Sequence, residues 1–262
     1  MKKYLQILGF AFKEQLEYRR NFFFGITTMA INDAIFLVIF AIFLSYFSGT
    51  GLTFGNFLLI HSMMAFQYAL VNGVFSNIGS VSEIIEEGKM DYYLSFPTSP
   101  LGFLAITKVK VHNLGDLFFA VISMIIYVVA FCTGNPRIFI AEWLGVMLLS
   151  GLFVLGLFLL VGSASFRLQR GSKVRDLFQS FFLVVGSYPP DIYQRDKLLF
   201  VLISVVGLYP GVFLPYRILV EGSTLFNWVI LALISFAILL IGVLVFYRGL
   251  KKYSSGNLVL QM

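Results

Sequence analysis

Long apolar runs broken by short charged segments organise this chain from end to end. A helix needs about 20 mostly apolar residues to cross the hydrocarbon core of a membrane. Runs of that kind occupy residues 21–48, 54–79, 112–133, 140–166 and 224–248. The stretch 176–216 is harder to divide. It holds two apolar pieces, Leu177–Tyr188 and Leu198–Leu214, separated by the polar sequence from Pro189 to Lys197.

Charge placement resolves that ambiguity. Of the 19 Lys and Arg residues, all but Arg137, Arg195, Lys197 and Arg217 fall within 1–20, 80–111, 167–175 and 248–262. Cytoplasmic loops accumulate Lys and Arg, so these four segments face the cytoplasm. Both ends inside requires an even number of crossings, so only one of the two pieces spans. The reading takes 176–193 as the fifth span. The piece 197–216, interrupted by Pro210 and Pro215, becomes a re-entrant hairpin in the outer leaflet. Irregular backbone at membrane depth survives only where protein or a wet cavity satisfies it. The predicted fold is therefore an all-α integral membrane protein with six transmembrane helices and both termini cytoplasmic, in a single transmembrane domain over 1–262.

Composition agrees and narrows the classes further. Charged residues make up 12% of the chain, against about 25% for a soluble domain, and the mean hydropathy is +0.89. The net charge of +6 has a simple source in cytoplasmic loops beside anionic lipid, so nucleic acid is not an expected partner. The lone Cys132 excludes an intrachain disulfide. The first apolar run begins only after a charged stretch through Arg20 and is too long for a cleavable signal core.

Two cytoplasmic segments carry more pattern than connectors need. In residues 1–20, Leu5, Leu8, Phe12 and Leu16 recur at helical spacing, with Lys2, Lys3, Gln6, Lys13 and Glu17 elsewhere around the helix. That predicts an amphipathic helix lying on the inner leaflet. Between spans 2 and 3, Ser82 opens a short acidic helix that Gly88 can end in a left-handed cap. Asp91–Leu94 makes a second turn, stopped by Pro97 and Pro100. Helix connectors usually take two to eight residues, whereas this loop runs over 80–111 and exposes Tyr92, Tyr93 and Phe96 beside carboxylates. Such a composition suits docking onto a partner protein better than simple solvation.

The order of these parts resembles the permease family of ABC-2-type exporters, in its bacterial six-span branch. The carrying features are the N-terminal amphipathic stretch and the loop from Gly88 to Pro100, which matches Gly-x-x-Asp/Glu-x-x-Leu-x-x-Pro-x-Ser-Pro. The broken regions Tyr188–Tyr193 and Tyr209-Pro210 and the tail Phe246–Gly256 also fit it. The resemblance implies that the loop after span 2 is a coupling helix seated in a groove of a separate ATP-binding cassette subunit. Glu86, Glu87, Gly88, Asp91, Tyr92 and Leu94 would then transmit that subunit's closure. It further implies a second six-span permease (the same chain or a related one) and location in the bacterial inner membrane. No G-x-x-x-x-G-K-[ST] pattern occurs, so this chain binds no cofactor of its own, and ATP with magnesium belongs to the partner.

Polar residues inside the spans mark the candidate translocation path. Asp33 lies near mid-depth of span 1, where a carboxylate costs roughly 2.5–3.5 kcal/mol on insertion scales and needs a partner or a wet cavity. Counting depth along antiparallel spans places Gln67 opposite Asp33 and Asn32. Two readings stand for Asp33: a wall of the path, or a structural hydrogen bond that orders the spans. His61, Tyr68 and Asn72 share a face of span 2, which suits either a path wall or helix–helix hydrogen bonding. Span 5 adds Gln179 and Tyr188. His112, Asn113 and Asp116 read as a hydrated helix start. With two histidines and no HExxH motif, a metal hydrolase is not expected, and no nucleophile–base pair suggests an intramembrane enzyme. The alternative to an ATP-driven exporter is an ATP-independent secondary transporter or channel. That class would carry more intramembrane ionisable groups and internal repeats.

Overall fold

A computed structural model describes residues 2–17, 19–46, 53–168, 170–194 and 196–254. Among the singled-out residues, Arg195, Ser255 and Gly256 lie outside the described ones, as do the side chains of Lys2, Lys3, Leu5, Leu8, Phe12 and Leu16. The described residues are mostly helical, with no strands among them. The helices are α1 (Lys2–Glu17), α2 (Arg19–Tyr46), α3 (Phe54–Tyr68), α4 (Ser76–Gly79), α5 (Val81–Glu86), α6 (Met90–Leu94) and α7 (Pro100–Ile106). They continue with α8 (Leu114–Ala130), α9 (Pro136–Gly162), α10 (Gly171–Gly186), α11 (Pro190–Tyr193), α12 (Lys197–Ile203), α13 (Leu214–Val220) and α14 (Leu225–Leu250).

Among the described residues, six helical stretches are long and apolar enough to cross a membrane: Phe22–Ile42, Phe54–Val74, Val111–Ala130, Pro136–Phe166, Lys197–Val220 and Leu225–Leu250. The number agrees with the sequence reading, but the region after α9 is divided differently. The fifth span was expected over 176–193. Instead α10 starts earlier, at Gly171, and ends at Gly186, and the run long and apolar enough to cross is Lys197–Val220.

That later run is not straight. The rings of Phe200 and Phe213 stack with centroids 5.6 Å apart. A straight helix rising about 1.5 Å per residue would hold the two backbones about 20 Å apart. The break is at Gly207, whose φ of 110° lies in the region that only glycine enters without strain. Wide helical turns over Ser204–Phe213 surround it, with Pro210 inside them.

Helix directions follow from which residues touch. Gly145 of α9 abuts Trp228 of α14, Gly156 abuts Leu239, and Gly249 abuts Phe166, so α9 and α14 run in the same direction. Helix α10 runs the other way. It begins beside Glu86, and the residue just past its end, Tyr188, lies against Phe57 at the start of α3. Ser223 donates to Glu142 at 2.5 Å, which joins the segment after α13 to the beginning of α9.

The core is built around α3 and α9. Trp143 donates to Ser62 at 3.2 Å, and Gln67 donates to Ser150 at 3.1 Å. These bonds tie two otherwise apolar faces on which Leu59, Met63, Met147 and Leu159 are fully buried. Gln67 also donates to the Gly211 carbonyl at 2.6 Å, so a buried amide satisfies backbone that the bend exposes. Gln67→Leu removes both bonds, at a cost of about 1–3 kcal/mol. We expect Val212→Cys, at a fully buried position, to resist maleimide in the native background and to react in the Gln67→Leu background. Equal protection in both would show that Gln67 does not hold the bend.

Candidate functional site

Two features concentrate polar chemistry: a cavity between the long helices and a groove on the loop that follows α3. The cavity has a volume of about 490 Å³ and is lined from α2, α3, α8 and α10. Asn32, Asp33, His61 and Tyr68, all singled out from the sequence, line it together. Asp33 and His61 are each 8% exposed, and His61 Nε2 lies 3.9 Å from Asp33 Oδ1. Phe36 stacks on the imidazole at 5.2 Å, and Phe119 meets it edge-on at 5.6 Å.

Asp33 does not meet Gln67. Its carboxyl faces that of Asp116 on α8, while Gln67 points away from the cavity, toward Ser150 and Gly211. Equal depth in two helices does not fix the rotation of either, and rotation decides which side chains meet. Asp116 is likewise no hydrated helix start: it is 5% exposed and lines the cavity. Gly115 allows this placement, because a Cβ there would lie 2.9 Å from the Ile26 carbonyl oxygen of α2. Sequence reasoning missed Asp116 for want of any sign that α2 and α8 pack together. Asn113 is also buried and donates to the Asn72 carbonyl at 2.8 Å.

Of the remaining path candidates, Gln67, Asn72 and Gln179 gather with Tyr68 in one cleft, and Tyr188 lies apart. Gln179 accepts from Arg175 at 3.3 Å and contacts the Tyr68 hydroxyl. Asn72 lies in a cleft beside Gln67 and Gln179, adjoining the cavity. Tyr188 sits among Phe40 and Phe57, at the other end of α10 from Arg175.

The loop after α3 is braced on several sides. Helix α3 first widens over Ala69–Val74, where the Phe75 amide donates five residues back to Leu70 at 2.9 Å. Asn77 then donates to Tyr93 Oη at 3.2 Å, the Leu104 carbonyl at 2.9 Å and Thr107 Oγ1 at 2.9 Å. Burial raises the Tyr93 phenol above its ordinary pKa, so it stays protonated within this cluster. Gly88, with φ of 69°, adopts the left-handed conformation that its place after α5 predicts.

Glu86 faces inward rather than outward. Its carboxylate accepts from the Ser172 amide and hydroxyl, both at 2.6 Å, which satisfies the first turn of α10. Glu83 forms an ion pair with Arg175 on the same helix. On another side, Ser99 bonds Tyr247 of α14 at 2.8 Å, and Asp91 contacts the Tyr253 hydroxyl. Burial and the Asp91 charge raise the Tyr253 phenol above its ordinary pKa. Glu87 pairs with Lys89, and both remain largely exposed.

That bracing leaves one face of the loop without intramolecular use. Tyr92 is 56% exposed and Leu94 42% exposed. Tyr92 and Phe96, with centroids 5.1 Å apart, form one wall of a groove of about 710 Å³. The opposite wall comes from α1 through Ile7, Phe10 and Ala11, rimmed by Lys13, Glu14 and Glu17. The groove is thus an aromatic and aliphatic cleft with mixed charge at its edge.

No curated protein and no solved structure matches the chain. A family model described as ABC-2 family transporter protein matches residues 29–256. That range takes in the cavity, the braced loop, the bent segment and α14, so this multi-pass helical membrane protein belongs to the ABC-2 transporter family.

Proposed function

We propose that this chain is the permease subunit of an ATP-driven exporter in a bacterial inner membrane, with both termini cytoplasmic. It pairs with a second six-span permease and with separate subunits that bind ATP and magnesium. Families of this type generally work with an ATP-binding partner and are not themselves enzymes. The observation that carries the reading is the bracing of the 80–107 region. Contacts from Glu83, Glu86, Asp91 and Ser99 join it to α10, to α14 and to the chain just beyond α14. A force applied to the exposed Tyr92–Leu94 face therefore reaches two long helices at once. In this reading α1 lies on the inner leaflet and forms the second wall of the docking groove.

In the same reading α10 with the turn after it crosses the membrane, and the run bent at Gly207 dips into the outer leaflet and returns. Two contacts support this. The parallel course of α9 and α14 requires a return crossing between them, and α10 runs from the level of Glu86 to that of Phe57. The ATP-independent alternative has no comparable observation in its favour.

The test is co-purification from mild detergent with an ATPase assay of the eluate. Wild type is expected to retain an ATPase that the Tyr92→Ala, Leu94→Arg double variant loses. The variant's own melting temperature should stay within a few degrees, since both side chains are exposed. Retention by the variant would remove these residues from the interface. A wild-type chain emerging alone would remove the ATP-coupled reading.

A further inference from the structure

The cavity between α2, α3, α8 and α10 holds more acceptors than its surroundings satisfy. Asp33 Oδ2 and Asp116 Oδ2 are both buried without a hydrogen-bond partner, on residues more than nine-tenths buried. Two hydroxyls of the lining are spent elsewhere. Thr28 donates to its own helix at Phe24 (2.8 Å), and Ser187 donates to Leu183 (2.6 Å). His61 Nε2 is itself unpartnered, and at 3.9 Å from Asp33 it lies beyond hydrogen-bond range. Among the described residues no Lys or Arg lines the cavity. The two carboxyls face each other within hydrogen-bonding reach, so one proton shared between them meets part of this need. The charge that remains has no Lys or Arg beside it and carries a large desolvation cost.

The rest of the wall is apolar and aromatic. Phe36, Met64, Leu183 and the ring of Tyr68 surround the acidic pair. From this juxtaposition we infer that the cavity is a binding site for an amphipathic organic amine. Its ammonium N–H groups donate to Asp33 and Asp116, and its flat apolar body lies against Phe36, Tyr68 and Met64. Aromatic faces add cation–π attraction in a desolvated site. A metal ion fits less well, because no group of three or more His, Cys, Asp or Glu among the described residues is arranged to hold one. A quaternary ammonium would supply charge but none of the N–H donors that the orphaned oxygens lack. The inference rests on the permease reading and names the class of compound that the subunit would export.

The full chain in lipid nanodiscs, titrated with 9-aminoacridine and followed by fluorescence anisotropy, tests this directly. The probe is a planar cation with N–H donors. We expect saturable binding to wild type, and at least about tenfold weaker binding to each of Asp33→Asn and Asp116→Asn, as for a lost charge-assisted hydrogen bond. Anthracene, with a similar body and no charge, should not compete. Leu183→Trp fills the cavity with both carboxylates intact and should abolish binding, which guards against an Asn variant that simply misfolds. Binding by both Asn variants equal to wild type, or no binding at all, overturns the inference. Displacement of the dye by millimolar calcium assigns the site to a metal and also overturns it. The assay needs no ATPase. Its failure beside a co-purifying ATPase removes the amine alone, whereas dye binding by a chain with which no ATPase co-purifies removes the ATP-coupled reading and keeps the site.

Discussion

Gly156→Val is expected to cost about 3 kcal/mol and to strip the protein of most of its folded yield in detergent. On α9, a Cβ at Gly156 would lie 2.5 Å from the Leu239 Cα and 2.6 Å from its amide nitrogen. The contact is reciprocal, since a Cβ on Gly242 of α14 would lie 2.5 Å from the Gly156 carbonyl oxygen. Both obstacles are backbone, so no rotamer change relieves them and the two helices must separate. In a membrane there is no hydrophobic drive to push them back together. Close backbone approach through small residues is itself a main source of association there. The separation would also loosen Trp228 from Gly145 and Phe166 from Gly249 along the same seam. Size-exclusion yield and detergent melting temperature read the effect, with a fall of about 10 °C expected for a chain of this size. Gly134→Val is the control, because nothing lies within 4 Å of a Cβ there. Similar behaviour of the two variants would refute the close-approach argument.

Arg175→Met should uncouple the loop from the cavity while leaving a folded protein. Arg175 is 7% exposed. It pairs with Glu83 of the loop, lies 3.2 Å from Asp176, and donates to Gln179 at 3.3 Å. Gln179 in turn contacts Tyr68 on the cavity wall. One guanidinium thus links the segment that would receive the ATPase motion to the cavity that would hold the cargo. Removing one member of a buried pair can cost 3–5 kcal/mol. Glu83 keeps 37% of its side chain exposed and can be rehydrated, so about 2 kcal/mol is the expected loss. The functional loss should exceed the stability loss, with ATPase stimulation by bound amine falling at least about tenfold in the reconstituted complex. Arg175→Lys keeps the charge but not the fork that reaches Glu83 and Gln179 together, so it should fall between. Wild-type stimulation in Arg175→Met would show that the linkage merely holds the fold.

Much of this architecture is legible from the order of residues. Hydropathy alone marks the long helices, because about 20 apolar residues in a row have few alternatives to crossing a membrane. The end of α5 and the left-handed Gly88 follow from local stereochemistry, which depends on neighbours in sequence, whereas Pro100, expected to stop the second turn, instead opens α7 after α6 has ended at Leu94. Asp33 stands out because an acid at membrane depth is expensive wherever the helix happens to pack. Exposure of Tyr92 and Phe96 was expected from the loop's composition, but Tyr93, expected beside them, is buried against Asn77. Their neighbour Glu86, an equally plausible contact from its sequence alone, instead caps α10.

What the sequence determined by itself was the class of protein, the number of long apolar helices, the charged segments between them and the family. Only the tertiary structure decided how those helices are rotated against one another. Rotation turned Gln67 toward Gly211 rather than Asp33 and brought Asp116 from the start of α8 to the side of Asp33. The fold-back of the run after Lys197 was expected, but its place, at Gly207, was not. Hydropathy is a property of each residue summed along the chain, and local caps depend on a few neighbours. Contacts between helices depend on where small residues such as Gly115 and Gly156 let two backbones approach, a pairing that no single stretch of sequence contains.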